Sequence, residues 1–125
     1  MKKPWASPEI VEQITTIGLE AMPLEACGLV TPTTSTAPMR VVQLPNISPQ
    51  PESSYEVDTG DLLNEISTWA ESADVDPEEL TREHFMVWHT HPSGSVGPSR
   101  ADLQIRIGGF QYMVVTLPTG EAVIF

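Results

Sequence analysis

The chain has 125 residues, 40% of them hydrophobic, enough for one domain with its own core; 17 acidic against 6 basic side chains give a formal charge of −11. That charge repels nucleic-acid phosphates and anionic membrane surfaces, so neither is expected as a partner. No run approaches the roughly 20 apolar residues of a membrane helix, MKKPWASPEI lacks the apolar stretch of a signal peptide, and a lone cysteine closes no internal disulfide, all pointing to a cytoplasmic protein.

In chain order, Ile10, Ile14, Ile17 and Ala21 recur at helical spacing, with Ser7 as cap and Pro8 at the first helical position, so a helix packed on a sheet is predicted from Ser7 to Met22. Pro23 ends it, and Ala26 to Thr31 reads as the first strand, with Cys27 as a small buried residue. PTTSTAP is a loop to a neighbouring strand, Met39 to Leu44, and NISPQPESS an irregular surface loop that passes beside any site. Tyr55 and Val57 alternate with polar residues as a short strand would. Leu62, Ile66, Trp69 and Ala73, broadened by Leu63 and Ala70, mark a second packed helix over Thr59 to Ala73. The stretch ESADVDPEE solvates a loop and a short capped turn at Asp76 and Pro77. Phe110 to Leu117 and Ala122 to Phe125 are two further strands joined by a PTGE turn.

Between these lies HFMVWHTHPSGSVGPSRAD, from His84 to Asp102. Phe85 to Trp88 is an apolar run expected to be a buried strand, in which His89 and His91 share a face while Thr90 takes the other. Pro and Gly residues then impose a compact loop. Ser99 is placed to cap a helix running towards Ile107, with Gly108 and Gly109 as its stop and Asp102 in its first turn. Folded back, the loop sets Asp102 beside the imidazoles. Two imidazoles and one carboxylate with a fourth position open to water form the ligand set of a catalytic zinc rather than a structural one. Such an ion lowers the pKa of its water towards about 7. The same residues have a plainer reading: a helix-capping box, and histidines hydrogen-bonded in a core.

The pattern HTHP, six residues, Ser99, two residues, Asp102 resembles the signature of the JAMM (MPN-plus) metalloproteases, and PLEACGLV at Pro23–Val30 resembles that family's glutamate-bearing strand. The resemblance implies an α/β (α+β) fold, a single JAMM/MPN+ domain over residues 1–125, its mixed β-sheet flanked by helices in cytidine-deaminase-like layers. It implies a zinc-dependent hydrolase of peptide or isopeptide bonds, with His89, His91 and Asp102 as ligands of Zn2+. Glu25 would be the general acid/base and Ser99 the residue that helps stabilise the oxyanion. A carboxylate in that role suits the chemistry, because the attacking water must lose a proton and the leaving amine must gain one. Glu25 stands just before an apolar strand, where desolvation would raise its pKa.

Asp102 stands near the end of the sequence, and the residues after it are needed for sheet, which disfavours a deubiquitinase with a long insertion there. The short chain, the Asn-bearing loop and YEVD look more like the prokaryotic and phage branch. The substrate expected is a protein or peptide, either a ubiquitin-like sulfur carrier or a phage tail-assembly protein, in the host cytoplasm if the chain is phage-encoded. The alternative is a non-catalytic MPN-type structural or interaction module. A zinc nucleobase deaminase needs cysteine ligands absent here, a cupin-like oxygenase needs a histidine after His91, and His84 is expected on the wrong face of the strand.

Overall fold

The structure, a computed structural model, describes residues 1–125. Three helices, α1 (Pro8–Ala21), α2 (Thr59–Ser72) and α3 (Arg100–Gln104), alternate with five strands: β1 (Cys27–Val30), β2 (Val41–Leu44), β3 (Met86–His91), β4 (Gln111–Thr116) and β5 (Ala122–Ile124). The strands form one mixed sheet in the order β2-β1-β3-β4-β5. Only β3 and β4 run parallel. That pair requires a crossover, and the crossover carries the loop after His91 and α3.

Both long helices begin where local chemistry says they should. Ser7 accepts a hydrogen bond from the amide of Ile10, with Pro8 at the first helical position, and Asp58 accepts from Gly60. Ile10 and Ile14 bury on Ala26, Val30, Met86, Trp88, Met113 and Val115, which fixes α1 to one face of the sheet. Leu62, Trp69, Ala70 and Ala73 bury with Leu29, Val87, Phe85 and Tyr112, setting α2 over the other. The sheet is therefore the middle of three layers.

Close approach is required at two glycines. A Cβ on Gly18 would meet Thr90 at 2.8 Å and Leu117 at 2.9 Å, so α1 lies almost on β3. One on Gly28 would collide with the Val42 carbonyl and stand 2.9 Å from the Trp88 ring, so β1 admits no side chain there.

Three expectations differ from the structure. Tyr55 and Val57 are buried and alternate with exposed Glu56, yet form no strand: a bond from the Ile47 amide to the Glu56 carbonyl (2.9 Å) takes the place of a ladder, and the segment lies over the α2 face. Leu63 is exposed, so the buried stripe of α2 is narrower than its apolar positions. α3 stops at Gln104, short of Ile107. The Tyr112 hydroxyl binds both the amide and the carbonyl of Ile107, and the Arg106 side chain donates to the Leu103 carbonyl that a longer helix would have used.

Candidate metal centre

Three side chains converge at the end of β3. Nε2 of His89 and Nε2 of His91 are 3.2 Å apart, and each lies 3.0 Å from the same carboxylate oxygen, Oδ2 of Asp102. Strand alternation puts both imidazoles on one face. Thr90 takes the opposite face, where its hydroxyl accepts from the Ala26 amide at 2.9 Å. Asp102 reaches them because the loop doubles back through Gly94 and Gly97, both at positive φ, and ends in a reciprocal cap. The Ser99 hydroxyl accepts from the Asp102 amide at 3.0 Å, and the Ser99 amide donates to Oδ2 at 2.9 Å. The capping box and the ligand geometry are one structure, not competing readings.

Glu25 stands two residues before β1. Cys27 pairs with His89 across the antiparallel ladder, so Glu25, two residues earlier, projects on the face of the histidines. One donor atom from each of Glu25, His89, His91 and Asp102 lies within 4.8 Å of the others, and all four residues are buried. Oε1 of Glu25 has no hydrogen-bond partner. Its backbone is held by the loop that the sequence placed beside the site: the Glu25 amide donates to the Pro51 carbonyl at 2.8 Å, and Asn46 donates from Nδ2 to the Glu25 carbonyl at 3.0 Å. Asn46 spends its remaining capacity on Ser54, Ser48 and Glu56. The sequence marks Asn46 itself only as part of the resemblance; its bracing role exists only once the loop has closed.

Protonation follows from these neighbours. Burial pushes Glu25 up to about 7, against an opposing pull from His91 and with a lesser push from the Asp102 charge. Burial would also raise Asp102, but hydrogen bonds from both histidines overcome it and hold the carboxyl well below the usual range. Burial lowers His89. For His91 burial is outweighed by Asp102 and by the Ser95 carbonyl, and the pKa rises. Burial drives Cys27 up to about 12, which leaves it a protonated, inert thiol.

The donor set can be tested for a cation on its own chemistry. His91 donates from Nδ1 to the Ser95 carbonyl at 3.1 Å, and the Thr116 hydroxyl donates to that carbonyl at 2.9 Å. The neutral ring therefore turns the lone pair of Nε2 towards Oδ2 of Asp102. Acceptor faces acceptor at 3.0 Å, an arrangement that a proton or a metal ion must bridge. Separations of 3.0–3.2 Å are close to the edge of a tetrahedron, about 3.3 Å, built on bonds of roughly 2.0–2.1 Å. The group fits a metal ion. His84 takes no part, but not because it lies on the wrong face of the strand as expected: it precedes β3 in a 3-10 turn, where Nδ1 accepts from the Thr81 amide.

A model of the prokaryotic homologs of the JAB domain matches residues 7–123. The chain belongs to this family. The match takes in both glutamate strand and histidine loop, and the JAB membership expected from those motifs holds. No curated protein matches the chain. Among solved structures it is similar to a protein from Salinibacter ruber, determined in solution, at 25% identity over 99% of this chain and 78% of that one, with a TM-score of 0.47. No helix of the JAB chain is long and apolar enough to cross a membrane.

Proposed function

We propose that this JAB domain, taken as one unit over residues 1–125, is a zinc-dependent metallopeptidase that hydrolyses a peptide or isopeptide bond. The observation that carries the reading is the buried convergence of two Nε2 atoms and Oδ2 of Asp102, with a partnerless Glu25 carboxylate beside them. His89, His91 and Asp102 would hold Zn2+. The ion would supply a Lewis acid that lowers the pKa of a coordinated water towards about 7 and leaves one position for solvent.

Each residue then has a task. Glu25, buried beside the centre, takes the proton that the attacking water releases and returns it to the leaving amine. Ser99 uses its oxygen as the acceptor for the Asp102 amide, which leaves its hydroxyl hydrogen free to donate to the developing oxyanion. The Ser95 carbonyl, held by Thr116, keeps His91 in the tautomer a cation needs. The substrate is a protein or peptide, either a ubiquitin-like sulfur carrier with a flexible C-terminal tail or a phage tail-assembly protein, and no nucleic acid takes part.

Zinc-loaded protein incubated with a peptide library and with ubiquitin-like C-terminal fusions, read by mass spectrometry, tests the reading. Cleavage is expected from wild type, and a loss of about 10²–10⁴-fold in Glu25→Gln with zinc retained, because a carboxamide cannot carry the proton. Equal cleavage by both would remove Glu25 from the mechanism. No cleavage of any substrate by zinc-loaded wild type would favour a binding module.

A further inference from the structure

The two histidines are held in different ways. A metal-ligating imidazole ordinarily donates its second ring nitrogen to a carboxylate, carbonyl or water, which sets tautomer and ring orientation. His91 obeys, through Ser95. His89 does not: its Nδ1 is buried with no partner. Against that ring lies Tyr55, with centroids 3.9 Å apart and planes only 17° from parallel. Phe125 meets it edge-on at 6.1 Å and 87°. Tyr55 is 3% exposed, and its hydroxyl also lacks a partner.

From this we infer that Tyr55 is a positioning residue for His89: its ring, stacked on the imidazole, replaces the absent hydrogen bond in aiming Nε2 at the metal site. The inference rests on the zinc reading above. A nearly parallel ring at 3.9 Å blocks tilting of the imidazole plane. The hydroxyl plays no part in it, since it bonds to nothing. The flat ring is therefore the functional feature, and phenylalanine should substitute for it where leucine, apolar but not planar, should not. The segment carrying Tyr55 is tied down by Asn46, which accepts from the Glu56 amide at 3.1 Å. The same asparagine thus braces both the Glu25 and the His89 sides of the centre.

The test measures zinc affinity by chelator competition, alongside the NMR positions of the His89 ring protons in zinc-free protein, for wild type, Tyr55→Phe and Tyr55→Leu. Wild type and Tyr55→Phe are expected to bind alike, with the His89 protons shifted upfield by the stacked ring. Tyr55→Leu should lose that shift and bind zinc about 10–100-fold more weakly. Unchanged affinity in a folded Tyr55→Leu, or an equal loss in Tyr55→Phe, overturns the inference while leaving the zinc reading intact. Wild type that binds no zinc overturns both. Should Tyr55→Leu fail to fold, His89 protons at unshifted positions in wild type and Tyr55→Phe overturn the stack by themselves.

Discussion

At the scale of single residues the centre is a problem of competing lone pairs. Oδ2 of Asp102 stands 3.0 Å from both Nε2 atoms, and a neutral His89 can donate to it. His91, whose Nδ1 already donates to Ser95, needs a proton or a metal ion between it and Asp102, and without metal that proton is favoured on His91 by Asp102. Glu25 makes the same environment measurable. Its folded pKa, about 7, stands above its ordinary value of 4.5, so the native state holds the proton more tightly than the unfolded chain does. The Glu25 contribution to stability is therefore fully present below about pH 4.5 and is lost as pH rises to about 7, a change of at most about 3 kcal/mol. Glu25→Gln cannot ionise and escapes the loss. In metal-free protein, the stability of Glu25→Gln relative to wild type should rise between these pH values and level off above them, as read by urea denaturation at each pH. A constant difference across that range would contradict the burial of the charge.

Element by element, the centre depends on where short segments stop. β3 places His89 and His91 on one face by alternation alone, whereas α3 places Asp102 beside them through its N-terminal cap. Ser99→Ala removes the acceptor for the Asp102 amide, and a lost cap of this kind costs about 1 kcal/mol. The expected outcome is an unfolding free energy lower by that amount, seen as a lower denaturant midpoint, together with weaker zinc binding, because Asp102 loses its restraint. An unchanged midpoint and affinity would show that the cap is dispensable. These same elements show what sequence could reveal. The long helices were legible because apolar spacing marks both and, for α1, the Ser7 cap agrees with it. The convergence of His89, His91 and Asp102 was legible because alternation and a capping box are local rules. Tyr55 was not: its alternation with Glu56 and Val57 imitates a strand, and only tertiary structure shows that no neighbour pairs with it. The early end of α3 was hidden likewise, since the Tyr112 hydroxyl that captures Ile107 comes from β4.

For the whole molecule, topology explains why residues so distant in the chain meet. β3 is central, with antiparallel β1 on one side bringing Glu25, and parallel β4 on the other forcing the crossover that carries Ser99 and Asp102. Helices on both faces keep the sheet dry, so the centre sits at its edge yet remains buried. The net charge of −11 adds a field that favours cations over the whole surface. The account stands on the claim that this edge holds one zinc ion. Elemental analysis of protein reconstituted with zinc and freed of excess tests it most directly. One zinc per chain is expected in wild type and none above background in the His89→Ala, His91→Ala double variant; zinc-free wild type, or a double variant that keeps its full zinc, would contradict it.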